Sequence, residues 1–297
     1  MDQRSNLFNF FVVIAKKVTP KFIFDYFKVK YYTFKTNKSV LDFELSKKKY
    51  IDYYKTYIDE KAHKLKFPAK VIKTGNYDLE LLKKLKLKKN NTLFEFGVGF
   101  FRSTKHFVEF LDTGKFVGND TSSKRIEFGK KKFPIIGKKK ATLIATNDNS
   151  FDWLKGKKFD FLYSYAVFCH MPVKDIEEVL KNAYKKAMHK NSKFLFSYSV
   201  LEFHHYKNYE GLENNECSEK AKKYFTKKDL VHIYNIILKS QKKDFAQVGF
   251  CNWFHSRSYI ENLVSGLGFK FKDVTDYLSD NAKKHYMFWD RVLLITK

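Results

Sequence analysis

The stretch Thr92-Leu-Phe-Glu-Phe-Gly-Val-Gly-Phe-Phe-Arg102 decides the fold of this chain. Its first half is a short apolar run, the pattern of a buried strand. The run ends in Gly97-Val98-Gly99. Two residues without a Cβ at a strand end let the chain turn sharply and let its backbone approach a ligand. Ser103 to Leu111 then reads as a helix, so the unit is strand, glycine turn, helix. A dinucleotide-binding turn needs a third glycine three residues after the second, and that position holds Arg102. The nicotinamide pattern fails here.

Working outward, the alternation continues. Leu79 to Leu87 reads as a helix and Lys88-Lys89-Asn90-Asn91 as a turn into the first strand. Further strands are predicted at Lys115 to Gly118, Ala141 to Ala145, Phe159 to Tyr165 and Lys193 to Val200. Helices are predicted at Ser122 to Lys132 and Val173 to Met188. Residues 201–254 interrupt the pattern with polar and aromatic sequence and one helix at about 227–239. A helix at Ser258 to Leu267 and strands at Gly268 to Val274 and Met287 to Thr296 complete it. Strands alternating with helices over short connections define an α/β chain with a doubly wound, mainly parallel sheet of seven strands. The expected organisation is a helical, basic and aromatic N-terminal extension, 1–74, and a main domain, 75–297. Residues 201–254 are an insertion after the fifth strand, at the sheet edge where a connection can cover a ligand.

Asp120 ends the second strand, 21 residues beyond Gly99. A carboxylate there can accept both hydroxyls of a ribose. It can also cap the following helix through Thr121 and Ser122. The glycine turn one strand earlier favours the ribose.

Taken together these segments resemble the class I, Rossmann-like methyltransferases that use S-adenosylmethionine (SAM). Phe94-Glu95-Phe96-Gly97-Val98-Gly99 resembles their first motif, an acidic residue followed by GxG. Phe116-Val117-Gly118-Asn119-Asp120-Thr121-Ser122 is similar to their second strand end. Phe159-Asp160-Phe161-Leu162-Tyr163-Ser164 and Val167-Phe168-Cys169-His170-Met171-Pro172 are similar to their fourth strand and the segment after it. Gly266-Leu267-Gly268-Phe269 resembles the turn before their sixth strand. The match spans about residues 75–200 and 256–297, in the family's order. It departs at Asn191-Ser192, where the family has paired glycines, and at Phe101, where it often has a small residue. Two aromatics, Phe100 and Phe101, are therefore expected to crowd the loop. The run Asn147-Asp148, Phe151-Asp152, Phe159-Asp160 and Val167 to His170 is similar to a bacterial small-molecule or glycan subgroup.

The resemblance implies a SAM cofactor and roles for its neighbours. Gly97 and Gly99 would line its methionine part, and Glu95 would orient the turn and the methionyl amine. Asp120, with Thr121 beside it, would hold the ribose, and Asn147 or Asp148 would meet the adenine amino group. Ser164 and Tyr165 would lie beside the sulfonium. Methyl transfer is an in-line displacement for which orientation supplies much of the catalysis. A hydroxyl acceptor must also lose a proton, which calls for a base near neutrality. His170, His204 and His205 sit near the predicted carboxyl edge, with Glu202 beside the pair and His255 further on. His170 reads either as a tether of its loop before Pro172 or as an acceptor contact, and the His204-His205 pair as acceptor contacts or ordinary loop residues.

Composition bounds the partners. The formal charge is +26, but only five of the 58 basic residues are arginine. Phosphate and base readout favour the arginine fork. Abundant Lys, Phe, Tyr, Asn and Ile also follow from AT-rich codons, so the charge reads as compositional bias or as an anionic partner. Cys169, Cys217 and Cys251 have neither disulfide-framework nor zinc-site spacing. The apolar run Leu7 to Ala15 is far short of the roughly 20 residues of a membrane span, and its flanks are not those of a signal peptide. A cytoplasmic chain is expected. Residues 1–30 repeat bulky aromatics at near-helical spacing between lysines, which suits a membrane interface or packing on the main domain. The leading reading is O-methylation of a small-molecule, sugar or glycan acceptor. An RNA methyltransferase is the second reading, weakened because Tyr163-Ser164-Tyr165-Ala166 stands where base-methylating enzymes carry Asn/Asp-Pro-Pro-Tyr. A non-catalytic scaffold with the same fold is the third. Oligomeric state is not encoded in any of these patterns.

Overall fold

The computed structural model describes residues 50–62, 69–200, 245–247, 252–279, 282 and 290–297. The strands are β1 (Leu93–Phe96), β2 (Phe116–Asp120), β3 (Thr142–Ala145), β4 (Phe159–Ser164) and β5 (Met188–Ser199), then β6 (Phe245–Gln247), β7 (Trp253–His255), β8 (Lys270–Asp273) and β9 (Asp290–Thr296). The helices are α1 (Tyr50–Ala62), α2 (Ala69–Lys84), α3 (Thr104–Phe110), α4 (Ser123–Lys132), α5 (Ile135–Lys138), α6 (Val173–Asn182) and α7 (Arg257–Gly266). Seven strands form one sheet in the order β3-β2-β1-β4-β5-β9-β8, and β6 and β7 form a separate antiparallel pair. Strands β1 to β5 run parallel, and β9 runs antiparallel to both β5 and β8. The doubly wound sheet expected from the alternation is the one observed.

Period-two alternation divides the apolar side chains between two cores. On β9, Leu293 and Ile295 join Ile176 and Val179 of α6 and Ile260 and Val264 of α7. Val292 and Leu294 join Leu81 and Leu82 of α2, Phe107 of α3 and Ile126 of α4. Each fully buried side chain of this size contributes about 1.5–3 kcal/mol of transfer free energy. A register shift between Phe159 and Phe161 in the β4–β5 pairing changes the phase on β4. Phe159 and Leu162, three apart, then face one core while Phe161 and Tyr163 face the other.

Several boundaries differ from the sequence reading, among them the helix read at Leu79 to Leu87, which spans Ala69–Lys84, and the strand read from Lys193, which starts at Met188. The helix predicted from Val173 to Met188 is α-helical to Asn182 and then widens into a π-helical turn, Ala183–Ala187, with Met188 opening β5. Apolar residues four and five apart serve an α turn and a π turn equally, so periodicity did not reveal it. Helix α2 runs unbroken through residues 74 and 75, where the composition changes. No helix among the described residues is long and apolar enough to cross a membrane.

Candidate functional site

Strand β1 delivers its chain to the carboxyl edge of the sheet, where Gly97 (φ +83°) and Gly99 (φ +52°) make the turn. The N–H groups of Gly97 and Val98 both donate to the Asn119 carbonyl of β2, at 3.0 and 2.8 Å. A Cβ on Gly97 would come within 2.4 Å of Val167 Cγ2. The turn is thus both left-handed and closely covered, and glycine answers both demands. The Gly99 N–H donates to Asp120 Oδ2 at 2.8 Å, and the Ser122 N–H donates to Oδ1 at 2.9 Å. Ser122 in turn caps α4 by accepting from the Arg125 N–H at 3.2 Å.

A cavity of about 370 Å³ lies along this edge. Of the residues implied for the cofactor, Glu95, Gly97, Gly99, Asp120, Thr121 and Tyr165 line it, and so does His170. Ser164 does not. Its hydroxyl donates to the Phe96 carbonyl at 3.0 Å and ties β4 to β1. Beyond β3 the wall is made by Thr146 and Asn149 rather than by the two residues between them. The Asn147 amide donates to Asp52 Oδ1 at 2.6 Å, and Asp148 accepts the N–H and the hydroxyl of Ser150 at 2.7 and 2.8 Å. The two Ser150 bonds turn the chain locally, as short polar side chains do after a strand, while the Asn147 bond ties this loop to α1. His204 and His205 lie outside the described residues, as do residues 1–30.

The two aromatics after the turn separate. Phe101 (φ +59°) is fully buried in the core beside Phe133, where a Cβ on Gly129 would come within 2.1 Å of its ring. The missing side chain at Gly129 makes the space that the small residue expected at position 101 would have left unused. Phe100 stays on the cavity wall, with the Arg125 guanidinium 4.6 Å from its ring centre. The expected crowding of the loop therefore reduces to one ring.

Helix α1 forms a wall that the sequence reading missed. Tyr50, Ile51, Tyr54 and Ile58 line the cavity from above the sheet edge. The stripe 50-54-58 at helical spacing was the available signal. Polar bonds anchor the helix at its flanks: Ser122 donates to Asp59 at 2.5 Å, Asn147 to Asp52, and the Tyr50 hydroxyl to the His170 carbonyl. The Tyr54 ring stacks on the His170 ring with centroids 5.9 Å apart. Behind the same turn, His255 of β7 is buried with Nε2 3.4 Å from the Phe168 carbonyl, and burial lowers its pKa to about 4.

Burial also governs the two carboxyls of the floor. It raises the Glu95 pKa to about 8, against the opposing hydrogen bond from Thr104 at 2.7 Å; Asp78 adds to the rise and Arg102 counters it. Burial raises Asp120 as well, against the Arg125 charge and its two backbone N–H donors. Asn119 Oδ1 is buried on the cavity wall with no hydrogen-bond partner among the described residues.

Residues 94–196 match a family model described as a methyltransferase domain. No curated protein matches the chain. Among solved structures, magnesium protoporphyrin IX methyltransferase (ChlM) from Synechocystis PCC 6803 with bound SAH is similar, at 13% identity and TM-score 0.51, over 84% of this chain and 100% of that one. The DhpI–SAH complex is similar at 11% identity and TM-score 0.50, over 82% and 95% of the two chains. At these identities the likeness is one of fold.

Proposed function

We propose that the chain is a class I, SAM-dependent methyltransferase that transfers a methyl group from SAM to a hydroxyl of a small-molecule or sugar acceptor; the methyltransferase-domain match over residues 94–196 supports this reading. One observation carries the cofactor half of this reading: Asp120 holds Gly99 across the glycine turn at the wall of a cavity large enough for a small ligand. A carboxylate has about four lone-pair positions, and two backbone N–H groups leave room for a diol. The orphaned Asn119 Oδ1 is a buried acceptor that a ligand N–H or O–H would satisfy. Gly97 and Gly99 on the same wall complete a cradle that suits a nucleoside with an amino-acid tail.

Bound SAM would supply a methyl carbon already activated by a positive sulfur. The protein's part is orientation, water exclusion and removal of one proton. Gly97, Gly99 and Asp120 would hold the cofactor, and the remaining walls would have to bring the acceptor hydroxyl in line with its methyl group. His170 borders the cavity with its ring against Tyr54 and its carbonyl held by Tyr50. A neutral imidazole there would take the hydroxyl proton as the new bond forms. The aromatic lining from Tyr50, Tyr54 and Phe100 supports a ring-bearing or sugar acceptor packed face-on.

Calorimetry with SAM and SAH tests the cofactor. Absence of heat at millimolar ligand would end the enzyme reading and leave a scaffold. Methyl transfer from labelled SAM to a panel of phenolic and sugar hydroxyls tests the acceptor class. His170→Gln should then lower kcat about 10²- to 10⁴-fold with SAH affinity unchanged. An unchanged kcat would remove His170 from the mechanism.

A further inference from the structure

Parallel strands put the connections that enter them at one edge of the sheet and the connections that leave them at the other. Strands β1 to β4 are parallel, so the two sets of connections occupy opposite edges. The connections that leave, 97–103, 121–122, 146–151 and 165–172, border the cavity and contain no lysine. The connections that enter, 85–92, 111–115, 139–141 and 155–158, are rich in it. Lys88 and Lys89 precede β1, Lys115 precedes β2, Lys140 precedes β3, and Lys157 and Lys158 precede β4, with Asp112 the one carboxylate among these connections. Hydrogen bonds hold the loops side by side. The Asp112 N–H donates to the Lys89 carbonyl and the Gly114 N–H to the Lys139 carbonyl, both at 2.8 Å. The Thr92 N–H donates to Asp160 Oδ2 at 2.7 Å and joins the entries of β1 and β4. The lysines therefore form one continuous face. Lys88, Lys89, Lys140, Lys157 and Lys158 are exposed, and none of their ammonium groups meets a carboxylate among the described residues. The face continues across β5, β9 and β8, where Lys193, Thr296 and Lys270 pair in register and Lys270 and Phe271 are both exposed.

AT-rich codons would scatter lysine over both edges alike, so compositional bias does not produce this division. Recognition of a nucleic-acid acceptor does not produce it either, because that needs phosphate contacts beside the cavity, where lysine is missing. The entering connections also contain no arginine. Lysine is a compact, hydrated point charge without the planar fork that reads a phosphate of fixed geometry. A broad face of such charges suits a surface of many anionic head groups. Phe271 stands at its margin as a ring that such a surface takes in at head-group level. Like charges crowded on one face repel one another, and an anionic surface relieves that cost.

We infer that this lysine face docks the chain on an anionic lipid bilayer, with the cavity at the opposite edge turned toward water. Flotation of the full chain with vesicles of phosphatidylglycerol and of phosphatidylcholine tests it, at an ionic strength of about 0.15 M. The wild type should float with phosphatidylglycerol and stay down with phosphatidylcholine. Each lysine near an anionic bilayer strengthens binding about fivefold, so K88Q/K89Q/K157Q/K158Q should weaken it about 10²- to 10³-fold. These side chains are exposed, so the variant should unfold in urea as the wild type does. K124E/K174E lowers the net charge equally, but in the first turns of α4 and α6 at the cavity edge, and should float like the wild type. A quadruple variant that floats like the wild type overturns the inference, since other residues, 1–30 among them, would then carry the binding. An equal loss in the double variant overturns it by making net charge the cause. A wild type that stays down with both lipids, or floats equally with both, overturns it as well. Retention of polyuridylate without vesicle binding would overturn it in favour of nucleic acid.

Discussion

Replacing Glu95 by glutamine tests the electrostatics of the cavity floor. Glu95 is 4% exposed, and burial carries its pKa from 4.5 to about 8. A carboxyl with a higher pKa in the folded chain binds its proton more tightly there than in the unfolded chain. The resulting stabilisation is complete below the unfolded value and is lost as pH rises through about 8. Within that window each pH unit removes about 1.4 kcal/mol. Going from pH 6 to pH 8 should therefore cost the wild type about 2 kcal/mol through Glu95, allowing for its half-titration at the upper end. Glutamine is a neutral isostere whose amide oxygen can accept the Thr104 hydroxyl that Glu95 Oε2 accepts at 2.7 Å. Other groups titrate alike in both proteins and cancel in the difference. Urea denaturation of the ligand-free chains should find the advantage of Glu95→Gln over wild type about 2 kcal/mol larger at pH 8 than at pH 6. Parallel stability curves across that range would refute a raised Glu95 pKa and the buried, proton-holding floor inferred from it.

Two further substitutions probe the turn and its surroundings. Gly97→Ala puts a Cβ at φ +83° and 2.4 Å from Val167 Cγ2, and should cost about 1–3 kcal/mol in urea denaturation and abolish measurable SAH binding. Wild-type affinity in that variant would mean that the turn is not the ligand cradle. Gly129→Ala drives a methyl to 2.1 Å from the Phe101 ring and should cost about 1–3 kcal/mol, part of which Phe101→Leu in the same chain restores. Strictly additive losses would show that the two positions do not share one space.

The parts of the site legible in the sequence are those set by backbone requirements local to one strand end. Gly97, Gly99 and Asp120 were readable because a left-handed turn demands glycine and a strand-end carboxylate stands at a known distance beyond it. Asn147 and Asp148 illustrate the limit. Spacing brought the reading to the right loop, but the bonds to Asp52 and Ser150 decide which of four consecutive residues meet the cavity. Phe101 illustrates it again, since its place in the core depends on a gap at Gly129 that no local pattern announces.

By itself the sequence determined the alternating strands and helices, the glycine turn and the carboxylate beside it, because pleat, helical period and φ > 0 are properties of neighbouring residues. Tertiary structure alone decided that Tyr50, Tyr54 and Ile58 roof the cavity, and that Asp78 and Tyr165 hold Arg102 on its wall. Those contacts join residues 24 to 120 positions apart, such as Arg102 with Asp78 and the Tyr50 hydroxyl with the His170 carbonyl. Their geometry is set by how helices pack on a finished sheet, which no single stretch of chain encodes.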